Sequence, residues 1–121
     1  MIDMVIDTAA LARLLQAIGG DVNDMRELVG DYEEDAPALV AAIAEAASVG
    51  DGDSMRVAAH SLKSNASDFG AARLSELCAD LERDCREGGP LNATDAIEEI
   101  AAAEREARRV LGEVDLDALS P

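Results

Sequence analysis

The sequence predicts an all-α domain, an antiparallel up-down-up-down four-helix bundle with a short extra helix at its N-terminus. Three observations carry that expectation. Apolar residues recur at helical spacing almost throughout the 121 residues, whereas period-two alternation rich in Val, Ile and Thr is nowhere sustained. Glycine-containing turns punctuate the pattern, and connections of two to six residues cannot carry a chain across a domain, so successive helices must run antiparallel. The length suits a single domain, residues 1–121, with a bundle core of about 8–114 and a tail over 115–121.

The first helix is expected from about Thr8 to Ile18, with Asp7 or Thr8 as its cap, Leu11, Leu14, Leu15 and Ile18 as its stripe, and Gly19-Gly20 ending it. It is too short to be a full member of the bundle and is expected to cover one end. The second begins after Asp21 and buries Met25, Leu28, Val29, Tyr32, Ala36, Leu39, Ile43 and Ala47. Pro37 interrupts it, which predicts a kink or break near Asp35. After the Gly50-Asp51-Gly52 turn, Asp53 is expected to cap a third helix carrying Met55, Ala58, Ala59, Leu62, Ala66 and Phe69, with Gly70 at its C-terminal cap. The fourth shows Leu74, Leu77, Cys78, Leu81 and Cys85 and stops at Gly88-Gly89-Pro90. A fifth starts near Asn92 or Thr94 and runs through Ile97, Ile100, Ala103, Ala107, Val110, Leu111 and Val114, with Arg105, Arg108 and Arg109 toward its negative C-terminal end. The segment from Asp115 to Pro121 reads as a loose tail.

Ten Lys and Arg against 26 Asp and Glu give a formal charge of -16. Nucleic acid binding needs the opposite balance, and one Tyr, one Phe and no Trp leave no platform for stacking bases. No apolar run approaches the ~18 residues that span a bilayer, and the acidic start MIDMVID does not resemble a secretory signal. A cytoplasmic monomer is the resulting expectation. Cys78 and Cys85 lie seven residues apart on one helix, roughly 10 Å at ~1.5 Å rise per residue, too far for a disulfide. Free thiols in packing roles fit a reducing compartment.

The single histidine, His60, decides the functional reading. Taking 100° per residue, Met55, Ala58, Ala59, Leu62, Ala66 and Phe69 cluster on the side of the helix opposite His60. Arg56, Lys63, Ser64 and Ser67 fall within roughly 60° of it. The imidazole is therefore expected on a solvent-facing stripe with a cation one turn away in each direction, a local reversal of the overall charge. One His and two Cys fall short of a metal site. No Asp or Glu shares the face to orient the ring, which argues against triad-type chemistry. An exposed imidazole beside a lysine can attack phosphorus, since its ordinary pKa near 6.5 leaves a free ring nitrogen at neutral pH and the cation can stabilise phosphoryl oxygens.

The stretch His60-Ser61-Leu62-Lys63-Ser64-Asn65-Ala66-Ser67-Asp68-Phe69-Gly70, followed by Leu74, Cys78, Leu81 and Glu82, resembles the signature of histidine-containing phosphotransfer (HPt) domains. Asp31 to Leu39 with Pro37 is similar to the family's second helix, and Gly50 to Asp53 to its turn before the active helix. Ser64 stands where the family usually has glycine. The resemblance implies a phosphocarrier: His60 accepts a phosphoryl group from an aspartyl phosphate of a response-regulator receiver domain and passes it to another receiver's Asp. Lys63 would stabilise phosphoryl charge, while Arg56, Ser64, Ser67 and Gly70 would support docking. Partners would be receiver domains or a hybrid histidine kinase, with Mg²⁺ on the receiver alone and no cofactor here. With no Gly-rich nucleotide loop, ATP-dependent kinase activity is not expected. The ends lie close to the helices, which suggests a stand-alone carrier. The competing reading is an HPt-fold module that docks a receiver or kinase without carrying phosphate.

Overall fold

The computed structural model describes residues 5–89 and 93–119. Among them the chain forms α1 (Thr8–Ala17), α2 (Val22–Ser48), α3 (Gly52–Asp68), α4 (Ala72–Arg86), α5 (Ala93–Leu111) and a 3-10 turn, Leu116–Leu119, with no strand. Helices α2, α3, α4 and α5 pack in a ring in which each touches its sequence neighbour and α5 returns to α2. That is the expected up-down-up-down bundle. The tightest packing joins α3 to α4 and α2 to α3. Small side chains allow it, because Ala36, Ala46, Ala58, Ala59 and Ala66 are all buried and let the helices approach closely. Larger residues fill the interior, among them Met25, Ile43, Leu62, Leu74, Leu81 and Ile100.

Aspartates start three of the helices. Asp7 accepts from the Ala9 amide at 3.0 Å, and Asp21 accepts from Asn23 at 2.8 Å and Asp24 at 3.3 Å. The cap of α3 is Asp51 and not the expected Asp53: Asp51 Oδ1 accepts the Ser54 amide at 3.0 Å, while the Ser54 hydroxyl donates to Oδ2 at 2.6 Å. These Ser54 bonds hold the exposed Asp51 carboxyl below its ordinary pKa. Asp53 instead lies in the first turn, where its charge still suits the helix dipole.

Pro37 does not divide the second helix, so the break expected near Asp35 does not occur; α2 runs on from Val22 to Ser48. Proline removes one amide donor, and the carbonyl that loses it belongs to the partly exposed Glu33. The buried stripe of Tyr32, Ala36, Ile43 and Ala46 continues on both sides of Pro37, so packing against the neighbouring helices holds the rod together. Nor is the described part of the tail, residues 115–119, loose. Leu116 and Leu119 pack against the core, and Asp117 Oδ2 accepts from Arg26 Nη2 at 3.0 Å. At the other end Ile6 is fully buried, so the core reaches beyond both limits of the expected 8–114. Pro90 and Asn92, offered as helix stop and start, lie outside the described residues.

Helix α1 covers one end of the bundle as expected, lying against α3 and the 3-10 turn. The only Tyr and the only Phe, Tyr32 and Phe69, pack there with ring centroids 4.6 Å apart. Arg108 does more than complement a helix dipole: it pairs with the buried Glu104 through Nε at 2.9 Å and Nη2 at 3.3 Å. The chain turns from α3 to α4 at Gly70, whose φ of +77° is a left-handed conformation. Its carbonyl accepts the Asp7 amide at 2.8 Å, and a Cβ there would lie 2.5 Å from the Asp7 carbonyl oxygen.

Two predictions follow from this packing. Gly70→Ala combines backbone strain with a clash and is expected to lower stability by about 1–3 kcal/mol; an unchanged urea midpoint would contradict the close approach of Asp7. Both cysteines are free, Cys78 buried and Cys85 half-buried. Burial pushes the Cys78 thiol up to about 12 and raises Cys85 as well, so both are expected to label slowly with thiol reagents in the folded protein. Labelling of Cys78 at the rate seen in urea would show that α4 is rotated from this position.

Candidate functional site

Helix α3 presents two faces. Met55, Ala58, Ala59, Leu62 and Ala66 are buried, and His60 projects from the opposite side with its side chain 54% exposed. The sequence periodicity had predicted this division. It had not predicted the partner. His60 Nδ1 lies 2.8 Å from Oε2 of Glu82, which comes from α4 and not from the histidine's own helix. The expectation that no carboxylate orients the ring is therefore corrected: a search along one helix face misses a residue delivered by the adjacent helix.

Glu82 is only 2% exposed, one of two buried charged residues in the described chain. It follows Leu81 on the core-facing stripe of α4, at a position where the surrounding pattern calls for an apolar side chain. That anomaly was the signal in the sequence. A buried carboxylate must recover the hydrogen bonds it gave up in water. Besides His60, Lys63 Nζ donates to Oε1 at 2.5 Å and Arg86 Nη2 donates to Oε2 at 2.8 Å. The Lys63 bond is the main force holding the Glu82 carboxyl below its usual pKa; the His60 bond and the charges of Lys63 and Arg86 act in the same direction, against the opposing effect of burial. Glu82 is thus ionised at neutral pH and can only accept. Its neighbour Nδ1 must then carry the proton, which fixes the tautomer and leaves Nε2 with a free lone pair.

The other residues singled out by sequence fall into different places. Lys63 joins His60 directly through Glu82 and is about one-third exposed. Its backbone carbonyl also accepts the Ser75 hydroxyl of α4 at 3.2 Å, tying this turn of α3 to its neighbour. Ser64 and Ser67 are exposed on the His60 side of α3. Arg56 is half-buried, near enough to α4 for its charge to act on the Cys85 thiol. Gly70 is buried against the Asp7 backbone, serves the turn into α4, and lines an open groove together with Ser67. On the α2 side an open groove of about 360 Å³, lined by Leu39, Asp53, Ser54, Val57, Ala58 and Ser61, runs beside the histidine stripe. Val57 is 55% exposed there, one turn from His60. Among the described residues no three His, Cys, Asp or Glu side chains gather as metal ligands, and no helix is long and apolar enough to cross a membrane.

The arrangement is an accessible, tautomer-locked imidazole beside a cation, on an exposed helix face. It can present one nucleophilic nitrogen to a reactive centre carried by another molecule. Comparison with known proteins agrees with this geometry. No curated protein sequence matches the chain. Among solved structures it is similar to histidine-containing phosphotransfer protein B (HptB) from Pseudomonas aeruginosa PAO1, at 25% identity and a TM-score of 0.82, over 90% of this chain and 92% of that one. The Hpt domain family model matches residues 27–115, a span that holds His60, Lys63, Glu82 and Arg86 together with the bundle that positions them, and the chain belongs to that family, the histidine-containing phosphotransfer domains.

Proposed function

We propose that the protein is a phosphocarrier that holds a phosphoryl group on Nε2 of His60, taken from an aspartyl phosphate of one receiver domain and given to the aspartate of another. The observation that supports this most strongly is the pairing of His60 Nδ1 with the buried, ionised Glu82. In the forward step the Nε2 lone pair attacks phosphorus in line, the Nε2–P bond forms, and the P–O bond to the receiver's carboxylate breaks with its electron pair leaving on that carboxylate. No proton moves. The ring keeps its Nδ1 proton and gains positive charge, which the Glu82 carboxylate, already in place 2.8 Å away, stabilises. In the return step the N–P bond breaks and the pair goes back to Nε2, so the same contact serves both directions.

Lys63 supplies the second half of the chemistry. Phosphoryl transfer is mainly positioning and charge stabilisation, and Lys63 stands about one turn from His60 on α3, where its ammonium would stabilise oxygens on Nε2. The divalent cation needed for the transition state belongs to the receiver's acidic pocket in this reading, as does the second carboxylate. The exposed surface around His60 suits docking by a domain that brings those groups with it. Ser64, exposed one turn beyond His60, adds only two heavy atoms to the glycine usual at that position, which leaves room for an approaching receiver.

The deciding experiment is incubation with a phosphorylated receiver domain. His60→Gln is expected to abolish uptake with the helical circular dichroism unchanged, because the side chain faces solvent; uptake of acid-labile, base-stable phosphate by that variant would sink the assignment. A parent protein that binds receivers but takes no phosphate from any would instead be a docking module.

Two further variants separate the roles. Lys63→Ala is expected to slow transfer ~10- to 1000-fold, the scale of removing one charge-stabilising donor, and unchanged rapid-quench rates would remove Lys63 from the chemistry. Glu82→Gln can still accept from Nδ1–H but carries no charge. It should slow transfer by roughly 10- to 100-fold. The ionised Glu82 contributes stability that is complete above the ordinary glutamate pKa of about 4.3 and is lost as pH falls through its depressed folded value. The parent should accordingly lose more stability than Glu82→Gln between pH 5 and strong acid; parallel pH profiles would contradict the depressed pKa.

A further inference from the structure

Ser64 stands where the family usually has glycine, and the fold leaves its hydroxyl unengaged. The side chain is exposed on the His60 side of α3 and has no hydrogen-bond partner among the described residues. A serine inside a helix can turn its hydroxyl back to the carbonyl four residues earlier, here that of His60, but that bond is not made. The hydroxyls of Ser48, Ser54 and Ser75, by contrast, donate at 2.7, 2.6 and 3.2 Å to Glu45, Asp51 and Lys63. The helix itself sets where Ser64 sits. It follows His60 by four residues, so the two Cβ atoms lie about 5–6 Å apart, and every Cα–Cβ bond of a helix tilts toward its N-terminus, which leans this hydroxyl toward the ring. Seen down α3, Lys63 lies about 60° to one side of His60 and Ser64 about 40° to the other. The Lys63 side faces α4, where the ammonium meets Glu82. The Ser64 side faces α2, across the groove that holds Leu39 and Val57. No Lys or Arg lines that groove; its Ser54 is committed to Asp51, and its Ser61 is half-buried, about 100° around the helix from His60.

We propose that Ser64 is a catalytic residue that donates a hydrogen bond to a phosphoryl oxygen on Nε2 of His60, on the side away from Lys63; the inference rests on the phosphocarrier reading above. A phosphoryl group presents three strong acceptor oxygens. One ammonium on the α4 side leaves an oxygen turned toward α2 to water or to another donor of the protein. The grooves on that flank carry the carboxylates of Asp35, Asp53 and Asp68, so an oxygen turned that way meets like charge and no cation. A neutral hydroxyl supplies the missing donor. It rotates freely about its C–O bond and can follow the oxygen as phosphorus moves between Nε2 and the receiver's carboxylate. Glycine has no such donor. The departure from the family pattern is thus a second point of charge stabilisation, facing the lysine across the ring, on a side chain small enough to lie under a docked receiver.

Phosphoramidate as donor separates this role from docking, because it loads the histidine with no receiver present: the Nε2–P bond forms as the P–N bond breaks and ammonia leaves with its electron pair. Ser64→Ala removes the hydroxyl and adds no bulk. It is expected to take up phosphate about 3- to 10-fold more slowly than the parent, the scale of one neutral hydrogen bond, and to lose the same factor with a phosphorylated receiver. Ser64→Thr keeps the donor and should load from phosphoramidate near the parent rate. Both variants should melt as cooperatively as the parent, because the side chain is exposed. Equal phosphoramidate rates for the parent and Ser64→Ala, a loss that Ser64→Thr fails to reverse, or a loss seen with the receiver alone would overturn the proposal while leaving the phosphocarrier reading in place, since the parent still loads. A parent that takes phosphate from neither donor would overturn that reading, and this proposal with it.

Discussion

A carboxylate removed from water has to be given its hydrogen bonds by the protein, and at Glu82 they come from the residues that would do the chemistry. The side chain is almost wholly buried between α3 and α4 and receives His60, Lys63 and Arg86. Satisfying the carboxylate and preparing the histidine are one act. The anion fixes which ring nitrogen carries the proton, and the cations keep that anion charged. Left alone, a buried glutamate would rise in pKa and turn neutral, and the ring would lose its tether. The close α3–α4 packing, with Ala59, Leu62, Ala66 and Cys78 buried, is what holds the two helices at the spacing this network needs.

The charge distribution takes its meaning from the same place. In a chain of net charge -16, three of the ten Lys and Arg gather with His60 on one face. Arg56, Lys63 and Arg86 offset Glu82 and leave a local positive excess around the exposed ring. Acidic residues occupy the flank toward α2, where Asp31, Asp35 and Asp68 line a groove with Tyr32 and Phe69. Such a local excess would favour the approach of a negatively charged group to the histidine against the background of the whole molecule. Glu104, buried like Glu82, pairs with the partly exposed Arg108 on α5, in the surroundings of Tyr32. Burial and the Glu104 charge hold the Tyr32 phenol protonated, so that pair belongs to the packing of the bundle.

Much of this was legible from residue spacing. The periodicity of 3.6 separated the buried stripe of α3 from the His60 face and placed Lys63 beside it, because both properties belong to a single helix. The bundle followed from short turns, and the family from the stretch His60 to Gly70. What could not be read one helix at a time was the network. The glutamate that orients His60 lies 22 residues away in sequence, and only the α3–α4 packing shows that it points at the ring. Its visible marks were a charge among Leu74, Cys78 and Leu81 and its place at the end of the stretch that resembles the family signature. Local rules also misled where tertiary contacts outweigh them: Pro37 did not break α2, Asp51 displaced Asp53 as the cap, and the 115–119 segment docked through Arg26 and two leucines. Gly70 ends α3 in a left-handed conformation as the pattern predicts, but the approach of Asp7 that crowds it is invisible in the sequence.

The central claim is that Glu82 holds the Nδ1 proton and so directs phosphorus to Nε2, and the ring nitrogens report on it directly. Protein labelled with ¹⁵N at its single histidine would be followed by proton-nitrogen correlation before and after loading with phosphate, with ³¹P coupling to mark the bonded nitrogen. The account predicts the Nδ1–H tautomer in the free protein and phosphorus on Nε2 in the loaded one, with the Nδ1 proton still hydrogen-bonded. A free ring protonated at Nε2, or phosphorus found on Nδ1, would contradict it.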